Sequence, residues 1–385
     1  MSTMILERAA AVFASALIAF ACSPAAAQIR IGQTTGVTGP VATSVAEINV
    51  GAKLYLDHIN AEGGIGGQSI ELVTLDDKNQ PPLALENAKK LVADPKVITL
   101  FLNRGTPHTQ ILLPLLAESK IALLAPSTGA MALHNPVNPW VFNVRTTYQA
   151  ETEHLTRHLG MAGLDKVGLC YVDDTFGSDA IQGALKVFKQ AGKEPLVKEA
   201  IDKAKPDYTA CVQKLIANKQ LGVVMVGTPV SVAAGVKALR AAGGTTVTVA
   251  TLSNNAAAGF VKELGTNAAG VIVSQVFPSE RRLATPMIAE ADRLAQAKGI
   301  KSLTPAMIEG FAAAKVLVLG LKRAAVAEGK GPITRVAFKR ALESMSRVDI
   351  GGGVGGIELT YSPTDHSGLD YVDLSYITAD GSFRR

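Results

Sequence analysis

The stretch LFLNRGTPHTQ, residues 100–110, is an apolar run that ends at Arg104, turns through Gly-Thr-Pro and leads into a second apolar segment. Such a run directly before a helix start is typical of a buried strand in a parallel sheet. The Gly-Thr pair offers a hydroxyl and unpaired backbone N–H groups at the positive end of the helix dipole. The stretch therefore predicts an α/β fold and, at the carboxyl end of one strand, an acceptor for a carboxylate or another anionic oxygen.

Apolar strands and helical segments alternate on both sides of this stretch. A first series covers residues 29–126 and a second covers residues 148–276, with helices expected at 109–118 and 178–191 among others. Apolar strands separated by helices predict a parallel sheet that is covered on both faces. The two series predict two doubly wound α/β lobes.

The end of the chain does not repeat this pattern. Helical segments at 280–298, 304–327 and 333–345 come first, and the strands GIELTYS and LDYVDLSYI follow them. They do not form a third α/β unit, so we expect them to complete the two lobes.

Composition excludes several classes of function. The chain has 385 residues, 48% of them hydrophobic and 18% charged, and its formal charge of +5 is spread without a basic run, which argues against nucleic-acid binding. No nucleophile elbow and no phosphate-binding Walker loop occurs, so no enzyme is predicted. His154 and His158 lack a third metal ligand and fit an exposed helix better than a metal site. We expect no cofactor and no metal.

The amino terminus has the features of a secretory signal. Arg8 precedes an apolar segment, and small residues stand at Ala25 and Ala27. The sequence predicts a signal peptide over residues 1–27 that is cleaved after Ala27. Cys22 leaves a lipid-anchored form open, but Phe20 stands where a lipoprotein signal prefers a small residue. A protein free in an exported compartment is therefore favoured.

Two cysteines, Cys170 and Cys211, remain after such a cleavage. An exported compartment permits a disulfide. Spacing alone does not give the Cβ geometry that a bridge needs, so two separate buried thiols are the favoured prediction.

Turn-forming polar residues follow five predicted strands. They are NRGTP, APSTG, DDTFG, GTP and LSNN. Doubly wound sheets bind ligands outside the carboxyl ends of their strands, so these loops predict a binding cleft. Each single loop could also be a plain Ser or Thr helix N-cap, and that alternative stays open.

Several stretches together resemble a known family. IRIGQTTGVTGPVA, GAKLYLDHINAEGGIGGQSIELVTLDD, LAPSTGA, VFNVRTTY and DDTFGSDA are similar to the periplasmic ligand-binding receptors of ABC transporters, in the type I Leu/Ile/Val-binding group. The resemblance covers essentially the whole chain after residue 27. It implies two α/β lobes, joined by three crossovers, that close on a small ligand in the periplasm and deliver it to a membrane permease. We expect a monomer.

The resemblance also implies how the lobes divide. It assigns residues 28–147 and 277–357 to the N-terminal lobe, and residues 148–276 and 358–385 to the C-terminal lobe. In amino-acid receptors of this family, loops of the first lobe bind the ligand carboxylate through hydroxyls and backbone N–H groups.

The second lobe departs from the family's amino-acid receptors. Phe176 stands where they have a tyrosine before glycine, a second tyrosine position falls near Thr228, and the acid that holds the ligand ammonium falls near Ser253 or Asn254. A buried ammonium without a carboxylate partner is costly. We therefore expect a carboxylate or an amide ligand, with any aromatic part stacked on Phe176. A branched-chain or other amino acid, and a ligand sensor for a membrane receptor, are the alternatives.

The remaining candidates come from the apolar runs and the crossovers. Arg104 could complete an anion site or could pair with a surface or interlobe acid. Arg145 is expected in a hinge salt bridge, and Glu309 is expected as a solvated helix residue. Phe277, at the second crossover, could line the cleft. The predicted ligand-binding residues are Arg104, Gly105, Thr106, Ser127, Thr128, Gly129, Tyr148, Phe176, Thr228, Ser253, Asn254 and Gln275.

Overall fold

The structure of the protein is a computed structural model that describes residues 28–351 and 357–385. The predicted signal peptide and its cleavage site lie outside the described residues. The strands are β1 (Ile29–Thr35), β2 (Ile70–Asp76), β3 (Val97–Phe101), β4 (Ala122–Leu124), β5 (Val141–Phe142), β6 (Val167–Val172), β7 (Lys198–Ile201), β8 (Gly222–Val226), β9 (Thr248–Thr251), β10 (Ile272–Gln275), β11 (Val348–Asp349), β12 (Glu358–Leu359), β13 (Asp373–Ile377) and β14 (Phe383–Arg384).

Helices connect these strands. They are α1 (Ala42–Ala61), α2 (Pro81–Ala93), α3 (Thr106–Glu118), α4 (Tyr148–Met161), α5 (Thr175–Gln190), α6 (Thr209–Ala217), α7 (Pro229–Ala241), α8 (Ala258–Leu264), α9 (Pro286–Ala297), α10 (Pro305–Glu328) and α11 (Arg335–Glu343). Short 3₁₀ turns lie at Met131–Leu133, Ser253–Asn255 and Gly265–Asn267. Among the described helices, none is both long enough and apolar enough to cross a lipid bilayer.

Two sheets confirm the predicted pair of α/β lobes. The first has the order β2-β1-β3-β4-β5, and all of its strands are parallel. The second has the order β14-β13-β10-β9-β8-β6-β7, in which β13 and β14 run antiparallel to their neighbours. Every residue of β3 and of β8 is buried, as expected for central strands that helices cover on both faces.

Two helices begin earlier than the sequence predicts. The helix expected from residue 109 begins at Thr106, because Gly105 adopts a φ of 101° and turns the chain directly into the helix. The helix expected from residue 178 begins at Thr175, because the side chain of Asp174 accepts hydrogen bonds from the first-turn N–H groups. Both starts lie at the carboxyl end of a strand, where the two lobes face each other.

The first lobe is completed by the late helices α9, α10 and α11. Helix α10 packs on α1 with direct backbone contact: a Cβ atom on Gly310 would lie 1.8 Å from the carbonyl oxygen of Ile48. A side chain larger than hydrogen would force the helices apart. The contact fits the expectation that these helices complete a lobe begun earlier in the chain, and the assignment of residues 277–357 to the first lobe stays a prediction.

The tail crosses to the second lobe later than the sequence predicts. Tyr361 and Leu369 belong to the same apolar cluster as Phe142 of the first lobe, and the rings of Phe142 and Tyr361 lie 5.3 Å apart. Only β13 and β14 join the second sheet. The crossing lies between Leu369 and Asp373, whereas the sequence predicts it at residue 358. The lobe boundaries as a whole stay a prediction.

The expectation of two free thiols is wrong for this structure. Cys170 on β6 and Cys211 on α6 are joined in a disulfide, with their Cα atoms 6.4 Å apart. Helix α6 packs over the sheet face to which Cys170 points, and both residues belong to one buried cluster. The bridge depends on strand order, which spacing in the sequence does not reveal.

Candidate functional site

A small cavity lies between the lobes, at the carboxyl ends of the strands of both sheets. Its volume is about 40 Å³, room for no more than a few water molecules. Seven of the predicted residues lie in its wall, together with seven that the sequence analysis did not select. The lining residues are Val41, Asn79, Arg104, Gly105, Thr106, Pro107, His108, Tyr148, Val172, Asp174, Phe176, Lys203, Thr228 and Asn254.

Arg104 reaches across the cavity from the first lobe to the second. Its Nη1 donates to Oγ of Ser127 at 3.0 Å, and its Nη2 donates to the backbone oxygen of Asn254 at 3.0 Å. Burial lowers the pKa of Arg104 below its ordinary value. Within the described chain no carboxylate forms an ion pair with this guanidinium, so the acid partner considered from the sequence is not found. A buried guanidinium held only by neutral acceptors favours an additional anion.

Thr106 does not act as a simple helix cap. Its Oγ1 lies 2.8 Å from Oγ1 of Thr128, and the position before the helix is held by Gly105, which has no side chain. Thr106 is buried. The loop quoted at the outset therefore differs from the plain N-cap alternative, and its proposed ligand role stays a prediction.

Two of the three quoted loops of the second lobe, DDTFG and GTP, are helix N-caps, as the alternative reading predicts. Oδ1 of Asp174 accepts from the backbone N of Phe176 at 2.9 Å and of Gly177 at 3.0 Å. The same carboxylate pairs with Nζ of Lys203 at 2.8 Å. Oγ1 of Thr228 accepts from the backbone N of Ser231 at 3.3 Å. The backbone N–H groups at these helix starts already donate to the protein's own oxygen atoms. They therefore leave fewer free donors for a bound anion than the first lobe does.

Two aromatic rings form an apolar wall of the cavity. The ring centroids of Tyr148 and Phe176 lie 4.7 Å apart, at an angle of 54°. The guanidinium carbon of Arg145, at the first crossover, lies 4.8 Å from the Tyr148 ring centroid. Such rings can contact a flat or apolar part of a ligand.

Four lining residues that the sequence analysis missed are polar. Asn79 and Lys203 follow β2 and β7, and Asp174 lies in the quoted loop DDTFG, so the rule of carboxyl-end loops could have found all three. His108 lies within the opening stretch itself. Burial, with a contribution from Lys203, lowers the pKa of His108 to about 4, and the imidazole is therefore neutral at pH 7.

Behind the cavity lies a buried cluster of charges at the first crossover. Nη2 of Arg145 donates to Oε1 of Glu151 and to Oγ of Ser253. Burial alone would lower the pKa of Arg145, but Glu151, Tyr148 and Glu309 together outweigh it and raise the pKa above its ordinary value. The predicted salt bridge of Arg145 is confirmed.

The expectation that Glu309 is solvated is wrong. Its side chain accepts from Oγ of Ser127 at 2.7 Å and lies 3.8 Å from Nη1 of Arg145, with 6% of the residue exposed. The reason is tertiary: α10 is enclosed by α1 and by the facing lobe, so the first turn of α10 points inward.

The remaining predicted residues lie outside the cavity wall. Ser253 and Gln275 line a separate narrow gap with Phe277 and Glu309. Ser127, Thr128 and Gly129 lie behind the wall. A Cβ atom on Gly129 would lie 2.6 Å from the carbonyl oxygen of Thr146, so this glycine permits the loop to touch the first crossover.

A comparison with models of protein families shows which family the chain belongs to. The family model described as periplasmic binding protein matches residues 28–382. The chain belongs to the periplasmic binding protein family. Its fold is that of the type I, Leu/Ile/Val-binding-protein-like members.

Three relatives illustrate the similarity of this periplasmic binding protein to others. A Leu/Ile/Val-binding protein homologue of Brucella abortus is 27% identical over 224 residues, which are 55% of this chain and 56% of the relative. The chain thus spans about half the length of the curated relatives it matches. The crystal structure of a substrate-binding periplasmic protein from Ralstonia solanacearum superposes with a TM-score of 0.83 at 28% identity, over 92% of this chain and 99% of that one.

A third relative shares the fold alone. It is a branched-chain amino acid ABC transporter protein from Thermus thermophilus with bound valine, with a TM-score of 0.79 at 19% identity, over 93% of this chain and 95% of that one. At this identity the likeness shows the fold and carries no inference about the ligand.

Proposed function

We propose that this periplasmic binding protein is the extracytoplasmic receptor of an ABC importer and that it binds a small organic carboxylate or amide in the cleft between its lobes. The observation that carries the proposal is the buried guanidinium of Arg104, which lines the cavity without an acidic partner in the described chain. A ligand carboxylate would supply the acid that contacts this guanidinium directly, and charge-assisted hydrogen bonds are among the strongest in proteins.

The other charges of the wall support an anionic ligand. Lys203 and Asp174 form an ion pair and balance each other. Arg104 has no acid in direct contact, and the nearest countercharge is the carboxylate of Glu309 on the far side of Ser127. His108 adds no charge at pH 7, because burial lowers its pKa to about 4. A ligand carboxylate would therefore give Arg104 a direct anionic partner.

The apolar wall supports a ligand with a flat or apolar part. Tyr148, at the start of α4, and Phe176, at the start of α5, meet at the cavity, and Val172 adds a third apolar surface. An aromatic or branched carbon skeleton could pack there while its carboxylate contacts Arg104.

A branched-chain amino acid is the second candidate, because curated relatives carry Leu/Ile/Val-binding names. An α-ammonium needs a carboxylate partner in a buried site. Asp174 is the acid in the described wall, and it is already bound to Lys203 and to two backbone N–H groups. The geometry therefore favours the carboxylate or amide.

Hinge closure is the proposed mechanism. The cavity is too small to admit a metabolite from solution, so the lobes must separate for entry and close again around the ligand. Contacts from both lobes would stabilise the closed form, which the permease would recognise. Export through a signal cleaved after Ala27 would place the receptor in the periplasm, as the family implies.

Calorimetric titration of the purified protein tests the proposal. The panel contains aromatic carboxylates, aliphatic carboxylates, their primary amides, and leucine, isoleucine and valine. We expect micromolar or tighter binding by a carboxylate or an amide, and a loss of about tenfold or more with Arg104→Gln. Arg157→Gln is the matched control, because Arg157 is a surface residue of α4. Tight binding of the branched-chain amino acids alone would support the second candidate instead.

A further inference from the structure

The carboxamide of Asn254 has an oxygen without a partner. Its Nδ2 donates to the backbone oxygen of Gly227 at 2.9 Å and to Oδ1 of Asn255 at 3.1 Å. Its own Oδ1 is buried and accepts no hydrogen bond from any described residue. A flipped amide would place the oxygen against two acceptors, so the hydrogen bonds fix the orientation. A buried acceptor of this kind calls for a donor.

The same residue lies where a bound ligand would lie. Asn254 is part of the cavity wall, and its backbone oxygen accepts from Nη2 of Arg104 at 3.0 Å. A ligand whose carboxylate contacts Arg104 is therefore next to Asn254. One small molecule can satisfy the guanidinium with its carboxylate and Oδ1 of Asn254 with a donor.

The charges around the cavity limit what this donor can be. A ligand ammonium would add a cation beside Arg104 and Lys203, while the carboxylate of Asp174 is already committed to Lys203. An amide oxygen does not replace the charge that a buried ammonium needs. The donor that fits is uncharged.

We propose that Asn254 selects ligands that carry an uncharged hydrogen-bond donor, a hydroxyl or an amide N–H, near their carboxylate, and that it selects against amino acids. This inference rests on the proposed function, because it assumes a carboxylate at Arg104. The ligand class is then the hydroxycarboxylates and acylaminocarboxylates. The structural cause is one orphaned oxygen in a cavity that lacks a free acid.

Calorimetry with matched probes tests the selection. One series is phenyllactate, 3-phenylpropanoate and phenylalanine; the second is 2-hydroxy-4-methylpentanoate, 4-methylpentanoate and leucine; the third is mandelate, phenylacetate and phenylglycine. In at least one series we expect the hydroxy acid to bind about tenfold tighter than the parent acid. We expect the amino acid of that series to bind on the order of a hundredfold weaker than the hydroxy acid.

The outcomes separate the two proposals. Parent acids that bind as tightly as their hydroxy acids in every series overturn the inference and leave the carboxylate receptor standing. Amino acids that bind more tightly than the hydroxy acids also overturn it. If no compound of the three series and no other carboxylate binds, the proposed function fails and the inference fails with it.

The variant Asn254→Leu tests whether Asn254 causes the preference for hydroxy acids. Asn254→Leu removes the acceptor, so the ratio of hydroxy-acid to parent-acid affinity should fall from about ten to about one. Asn218→Leu, at the exposed end of α6, is the control and should keep the ratio. Because the ratio is measured within one variant, a general loss of affinity cancels. A ratio that Asn254→Leu leaves unchanged overturns the assignment, and if that variant does not fold, the ratios of the unaltered protein decide.

Discussion

Glu151 provides a sharp test of the buried charge cluster at the first crossover. It is fully buried (0% exposed), and its carboxylate accepts from Nη2 of Arg145, from the backbone N of Ser253 at 2.9 Å and from Oγ of Ser274. Glu151→Gln keeps the shape of the side chain but removes its charge. It also places an N–H group among three donors, so at least one hydrogen bond is lost.

The cost follows from burial. Removing one partner of a buried ion pair typically costs about 3–5 kcal/mol, because the other charge stays buried without compensation. For a chain of this size, 1 kcal/mol corresponds to roughly 1–2 °C in Tm. We therefore expect Glu151→Gln to melt about 4–8 °C below the parent protein.

The same helix offers a matched control. Glu153 of α4 pairs with Arg157 and Lys186, whose side chains are largely exposed. Such pairs contribute about 1 kcal/mol or less, so Glu153→Gln should lower Tm by no more than about 1–2 °C. Differential scanning calorimetry of both variants at pH 7 measures the difference. Equal Tm values for the two variants would refute the reasoning that burial decides the cost.

Four further predictions follow from the same structure. Thr106→Val should lower Tm, because it removes the partner of a buried hydroxyl at a cost of about 1–2 kcal/mol, and calorimetric titration should also show weaker carboxylate binding; unchanged affinity would make the loop purely structural. Thiol titration of the unreduced, denatured protein should find neither Cys170 nor Cys211 free, and reduction should cost about 4 kcal/mol in a denaturant titration, whereas two reactive thiols would contradict the bridge. Burial lowers the pKa of His108 and of His134 to about 4 each, so stability that is present above the unfolded pKa near 6.5 should be lost as the pH falls towards 4. Denaturant titrations at pH 7 and pH 5 should show this loss of stability. The loss should be smaller in a variant in which both histidines are replaced by Gln. Solution scattering should show a smaller radius of gyration at saturating ligand than without ligand, and an unchanged or larger one would argue against lobe closure.

Local patterns predict the parts of this fold that local interactions determine. Strand β3 is recognisable because all five of its residues are apolar or small and buried, and Arg104 is conspicuous because it interrupts that run. The cavity wall at Arg104, Gly105 and Thr106 follows from the rule that doubly wound sheets bind ligands at the carboxyl ends of their strands.

Contacts between distant segments are what the sequence does not reveal. The local sequence predicts that Glu309 is a solvated helix residue. In the structure it accepts a hydrogen bond from Ser127, which is 182 positions away in the chain. The disulfide depends on the position of α6 over β6, which the strand order sets. Asn79 and Lys203 reach the cavity only because β2 and β7 end at the same edge as β3 and β6.

The contacts that hold the lobes together also bear on how tightly a ligand can bind. Arg104 already donates across the cleft to the backbone oxygen of Asn254, and the carboxylate of Glu47 on α1 accepts from the backbone N of Ala258 at 3.0 Å and of Gly259 at 2.9 Å at the start of α8. A ligand carboxylate at Arg104 would compete with a neutral carbonyl oxygen for the same guanidinium. The exchange is favourable because a charged acceptor binds a guanidinium more strongly than a neutral one does. The observed affinity, however, reflects only the difference between the two acceptors, since a ligand shifts the equilibrium by no more than its differential contacts. The hydrogen-bond partners of Glu47, which are Ala258, Gly259 and Thr304, lie outside the cavity wall. Weakening the contact of Glu47 should therefore change the ease of opening without changing which ligand is chosen.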